Sequence, residues 1–131
     1  MKKIILAIDV MGGDHGPKTT IDGVVMASKN YPHVKFILFG DKKKCKEGLK
    51  DNSDFSNYEF VHTSENIGSS DEPVNALRKL KKSSMRLGIN SVKLLKSHGF
   101  VSAGNTGALM AISKFVLKTI KGIDRPAIAA L

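Results

Sequence analysis

Four short apolar runs alternate with longer stretches patterned at helical spacing. That alternation restricts the fold of this chain more than any other feature. The runs are Ile4–Asp9, Val34–Phe39, Tyr58–Val61 and Gly99–Ala103. Ile4–Asp9 is apolar without interruption up to its last residue, the pattern of a strand buried on both faces. After the loop Val10–Pro17, Ile21, Val24, Val25 and Ser28 recur at helical spacing to near Asn30, and Pro17 suits a first helical turn. Lys42–Leu49 reads as a short basic helix. Asp51–Asn57 and Thr63–Pro73 read as polar loops. Residues from Val74 onward are predicted helical, with a break at Ser83–Ser84. Thr106–Lys118 is predicted as a helix with Leu109, Ile112, Phe115 and Val116 on one face. Lys118 and Lys121 suit its C-terminal end, and Gly122 its stop. Such alternation predicts an α/β fold, a mainly parallel sheet with helices on both faces. Ligands in these folds sit beyond the carboxyl ends of the strands.

The bulk properties agree with one globular unit. The chain has 131 residues, 41% of them hydrophobic and 25% charged. Asp124–Leu131 reads as a turn feeding a further buried strand that stops in mid-element. Residues 1–131 are therefore expected to be the N-terminal part of a single α/β catalytic domain that continues further. Lys2–Lys3 and the apolar run after them imitate a signal peptide. The run is too short, Asp9 interrupts it, and no small-residue cleavage pattern follows. A cytoplasmic protein is expected, with a membrane-surface role left open. The single cysteine, Cys45, excludes a disulfide framework and a multi-cysteine zinc site. Its lysine neighbours act to lower a thiol pKa, although an incidental helix or surface cysteine is the simpler reading.

The net charge is +9. Lysines cluster at Lys42, Lys43, Lys44, Lys46 and Lys50, and basic residues again between Arg78 and Lys96. One straight helix across the second cluster would align Arg78, Lys82, Arg86, Lys93 and Lys96 in a stripe; a break at Ser83 would divide it. Nucleic acid, an anionic membrane or an acidic protein all answer to such charge, as does a merely solvated surface. With six Phe, two Tyr and no Trp, the chain has no aromatic platform for stacking bases, so no nucleic-acid partner is expected.

Two glycine-bearing turns carry the chemistry. Gly99–Met110 reads as a strand end, a tight turn at Gly104, and the first turn of a helix. A helix starting there leaves backbone N–H groups unpaired at the positive end of its dipole, a site for an anion such as phosphate. Gly104 and Gly107 permit close approach. Asn105 and Thr106 can add side-chain donors. The other turn, Asp9–Pro17, brings Gly12, Gly13, Asp9, Asp14 and His15 to the same edge of the sheet. Turn and cap chemistry explains such residues equally well. Ser70–Pro73 reads most simply as a helix start. Neither the dinucleotide pattern nor a P-loop lysine is present. There is no Gly-x-Ser-x-Gly, and the histidines are dispersed, so neither a serine hydrolase nor a zinc site is expected.

Five motifs occur in order: Asp9–Pro17, Asp71–Val74, Lys82–Met85, Ser102–Leu109 and Gly122–Pro126. Together they closely resemble the bacterial phosphate acyltransferases of fatty-acid and phospholipid synthesis. Val10 departs from the family pattern, which has a small residue such as Ala there. The resemblance implies a three-layer α/β/α fold like that of the isocitrate/isopropylmalate dehydrogenases; no cofactor is expected. It implies transfer of a long acyl chain from acyl carrier protein to inorganic phosphate, giving acyl phosphate. It also implies a homodimer at the cytoplasmic membrane face, near the acyltransferase that consumes the product.

On that reading, phosphate lies on the backbone around Gly104 and Gly107, with contacts from Ser102, Asn105 and Thr106. Asn105 donates to the developing oxyanion, Gly12 and Gly13 close the opposite wall, and Asp14 orients a donor or binds a proton. Acidic acyl carrier protein is the expected partner of the basic surface. The nearest alternative is a coenzyme A-dependent phosphate acetyl- or butyryltransferase. A basic nucleic-acid module and an inactive fragment are the non-enzyme alternatives.

Overall fold

The computed structural model describes residues 3–129. The elements run β1 (Ile4–Asp9), α1 (Gly16–Asn30), β2 (Val34–Gly40), α2 (Lys42–Asp51), β3 (Tyr58–His62), α3 (Pro73–Lys79), α4 (Ser84–Lys93), β4 (Gly99–Val101) and α5 (Thr106–Leu117). The four strands form one all-parallel sheet in the order β3-β2-β1-β4. In register, Asp9 at the end of β1 lies beside Phe39, and Gly40 beside His62.

Alternation along the strands sorts side chains to two faces. Leu6, Ile8, Phe36 and Leu38 face α1 and α2 and pack with Ile21, Val24 and Cys45. Ile5, Ala7, Ile37 and Phe39 face the other way, toward Leu87 of α4 and Phe100. Helices α3, α4 and α5 share a further cluster built on Ala76, Met85, Ile89, Ala108 and Ile112. The expected layering of helix, parallel sheet and helix is thus present. Each fully buried aliphatic side chain, such as Ile21 or Leu38, contributes about 1.5–3 kcal/mol. Val10 is fully buried and fits because Gly40 opposite has no side chain: a Cβ there would stand 2.5 Å from Val10 Cγ2.

Three local expectations change, and one alternative is settled: the break at Ser83–Ser84 is present, so the basic segment is two helices, with Ser83 capping α4 by accepting from Arg86 N–H at 3.2 Å. The five basic residues therefore share no stripe, and Arg86 instead lies over the Phe115 ring, 5.4 Å from its centroid. Strand β4 ends at Val101 rather than Ala103, since Ser102 leaves the ladder for a polar contact with Asp9. Helix α5 ends at Leu117, where Lys118 takes a positive φ of 67°, and Gly122 belongs to a later turn. Asp124–Ala129 forms no strand and is exposed, so the described part of that segment is not the buried strand expected; Ala130 and Leu131 lie outside the described residues.

Cys45 is fully buried on the inner face of α2, and burial, helped by the Asp41 charge, pushes its pKa up to about 11. Its lysine neighbours do not activate it. At pH 8 the native thiol is expected to alkylate far more slowly than the denatured chain; equal rates would contradict this packing. Gly88 of α4 sits against the Phe100 ring, where any Cβ would collide. Gly88→Ala is expected to cost about 1–3 kcal/mol by overpacking, read from chemical denaturation, and an unchanged midpoint would contradict it.

Candidate functional site

The sheet order creates the site. The chain lays down β1, β2 and β3 outward, then crosses back to set β4 on the free side of β1. Where the order reverses, the connections leave in opposite directions and a crevice opens beyond the strand ends. The β1–α1 turn and the β4–α5 turn both start there.

Asp9 joins them. Its carboxylate is 3% exposed and accepts three hydrogen bonds. Ser84 Oγ donates to Oδ1 at 2.7 Å and Met11 N–H to Oδ1 at 3.1 Å, while Ser102 Oγ donates to Oδ2 at 2.8 Å. Ser102 Oγ in turn accepts from Gly104 N–H at 3.1 Å. One carboxylate thereby ties the end of β1 to the start of α4 and to the β4–α5 turn. Gly12 lies directly on this network. A Cβ there would stand 2.8 Å from Gly104 N and 2.9 Å from Ser102 Oγ, so only glycine lets the two turns meet. Gly13 adopts a φ of +100°, again a glycine conformation.

Asn105 forms a second junction. Its Oδ1 caps α5 by accepting from Ala108 N–H at 3.0 Å. Its Nδ2 donates to the carbonyls of Asp71, at 2.8 Å, and Gly68, at 3.1 Å. Asp71 Oδ2 accepts from Gly68 N–H at 2.7 Å and closes that turn. The loop before α3 is thus fastened over the start of α5. Beneath it, Thr63 Oγ1 donates to the Lys82 carbonyl at 2.6 Å, and Ser84 N–H donates to the Glu65 carbonyl at 3.0 Å.

Between these turns lies a cleft of about 250 Å³. Gly13, Asp14, Gly104 and Asn105 line it, opposite Asn66–Ser69. Asp14 is the only charged side chain among the lining residues. Gly12 and Ser102 lie below the cleft as struts. Thr106 is exposed at the first position of α5, and Gly107 packs on Pro73, where a Cβ would come within 2.8 Å. Thr106 and Gly107 are not among the lining residues. Several expected direct contacts are therefore already engaged inside the protein. Ser102 is hydrogen-bonded to Asp9 and Gly104, and both Asn105 amide hydrogens are donated to carbonyls. Direct donation from Asn105 to a substrate requires one of those bonds to open. Asn105 and Thr106 N–H groups have no intrahelical partner, by the geometry of a helix start. His15 precedes α1, exposed and without a side-chain cap. Among the described residues, no group of three or more His, Cys, Asp or Glu is placed to hold a metal ion.

Ser84 and the Asn66–Ser69 wall were not among the expected site residues. Ser84 looked like part of a helix break. The signal that could have found it is the unpaired acid Asp9 at the end of a buried strand, which needs donors from elsewhere. Asp9→Ala orphans the buried Ser84 hydroxyl and the half-buried Ser102 hydroxyl and is expected to cost about 1–3 kcal/mol in denaturant unfolding. A loss within experimental error would show that the network carries no stability.

A family model described as "Fatty acid synthesis protein" matches residues 4–131. The chain is 46% identical over 132 residues to a phosphate acyltransferase of Shewanella sp. (strain ANA-3), covering 99% of this chain and 39% of that protein. It is 48% identical over 132 residues to the phosphate acyltransferase of Legionella pneumophila (strain Corby), with the same coverage. Against that of Listeria monocytogenes serotype 4a (strain HCC23) it is 48% identical over 124 residues, covering 95% of this chain and 36% of that protein. The chain thus spans about two fifths of the length of the curated relatives it matches. With the family model matching residues 4–131, the chain belongs to the fatty acid synthesis protein family, alongside proteins named phosphate acyltransferases.

Proposed function

We infer that this chain forms one wall of a site that moves a fatty acyl group from the thioester of acyl carrier protein to inorganic phosphate. The observation that carries this reading is the convergence of two glycine turns and a helix start on one small cleft. A helix N-terminus favours an anion, and glycines let an ion and a thioester carbonyl approach the backbone closely. Phosphate is already an anionic nucleophile, so positioning matters more than activation by a strong base. Fixing it against the thioester can supply roughly 7–11 kcal/mol of the barrier.

In the step itself, a phosphate oxygen bonds to the thioester carbon and the carbon–sulfur bond breaks. The electron pair leaves on sulfur. With hydrogen phosphate as the nucleophile, its single proton ends on the thiol. Asp14, at the cleft mouth, relays that proton. The Asn105 backbone N–H at the start of α5 holds the phosphate, Gly13 faces it, and the Asn105 side chain fixes the loop that forms the other side. The whole enzyme is a homodimer at the cytoplasmic face of the membrane, in a single catalytic domain that includes residues 1–131. A membrane acyltransferase there takes up the acyl phosphate.

Full-length protein supplied with acyl-carrier-protein thioester and radiolabelled phosphate is expected to form organic-soluble acyl phosphate and free thiol in equal amounts. Preference for a short-chain coenzyme A thioester would overturn the donor assignment. Asp14→Asn is expected to lower kcat by about 10²-fold with little change in the KM for phosphate. An unaltered kcat would remove Asp14 from proton transfer.

A further inference from the structure

We propose that the lysine face of α2 is a docking platform for an acidic protein surface, the one that presents the thioester to the cleft. This rests on the acyl-transfer reading above. On a helix, Lys42, Lys46, Lys50 and Lys43 fall within an arc of about 100°. Cys45 and Gly48 are buried on the opposite side. The acidic residues Glu47 and Asp51 fall outside the arc, as does Lys44. Asp41 is engaged as the helix cap, its Oδ1 accepting from Lys43 N–H at 2.9 Å. The ion pairs among the described residues involve Lys18 and Lys35, not these lysines. Four uncompensated positive charges therefore share one exposed face.

The face has a shape as well as a charge. Lys42, Lys43 and Lys46 line a depression of about 480 Å³ with Leu49 and His62. His62 Nδ1 accepts from Lys42 N–H at 3.1 Å and fixes the ring at the end of β3. Lysine stems over a half-buried leucine suit the mixed surface of a protein helix whose acidic residues meet the ammonium groups.

The platform adjoins the cleft through one residue. Met11 lines the cleft, and its Sδ accepts from Asp41 N–H at 3.4 Å. A Cβ at Gly40 would stand 2.9 Å from Met11 Cγ, so the methionine fits closely over the start of α2. A partner on the lysine face thus sits next to the cleft mouth. A lipid surface is disfavoured as occupant. Interfacial helices bury an apolar face in the membrane, whereas the buried residues of α2 face the protein core.

The test uses full-length enzyme, its K42E/K43E/K46E variant, acidic acyl carrier protein and phosphatidylglycerol vesicles. The carrier Kd is expected to rise about tenfold or more in the triple variant, and its salt dependence to flatten. Lys44→Glu should leave that Kd within about twofold, because only the patterned face is read. The ratio of kcat/KM on carrier-bound thioester to that on acyl-pantetheine should fall in parallel. An unchanged carrier Kd would overturn the platform, as would an equal effect of Lys44→Glu or a loss confined to vesicle binding. Absence of phosphate-dependent turnover on acyl-pantetheine, with the carrier Kd shifted as expected, would overturn the acyl-transfer reading and leave the docking face standing.

Discussion

The buried Asp9 carboxylate is the interaction on which the rest of this structure depends. A carboxylate removed from water is costly unless donors surround it. Here three donors come from three separated places: the turn after β1, the start of α4 and the turn after β4. Satisfying Asp9 therefore forces those segments together. The requirement reaches Gly12, whose missing side chain makes room for the junction. The cleft above it is the space that this arrangement leaves.

Topology and polar bonding divide the work. The order β3-β2-β1-β4 opens a crevice but does not shape it. Shape comes from side chains that bond to backbone: Asn105 to the 68–71 loop, Thr63 to Lys82, Ser102 to Gly104. Each such bond fixes a turn before any ligand arrives. A site held this way gives little reorganisation cost to the reaction it hosts. The basic face of α2 lies outside this frame, joined to it through Met11. Long-range charge and short-range positioning are thus built on neighbouring but separate elements.

Much of the fold was legible because burial on both faces leaves uninterrupted apolar runs. Ile4–Asp9 and Val34–Phe39 could hardly be anything but central strands, and the helix break at Ser83 was visible in the paired serines. The site was half legible. Glycines flag close approach and positive φ, so Gly12, Gly13 and Gly104 stood out. What the pattern does not carry is direction. Ser102 and Asn105 looked like ligand donors because both are polar and lie at a helix start; which way each points depends on Asp9 and the 68–71 loop, distant in sequence. Ser84 was hidden for the same reason. Gly122 seemed the natural helix stop, yet Lys118 turns the chain four residues earlier.

On the function proposed, phosphate is held for acyl transfer in the cleft between the Gly13–Asp14 turn and the start of α5. The most direct measurement is a crystal structure of the full-length protein with inorganic phosphate bound. The expected result is phosphate in that cleft, accepting from the Asn105 backbone N–H at the start of α5, with the Asp9–Ser84–Ser102 bonds beneath it intact. Phosphate bound at another site, with this cleft empty, would contradict it.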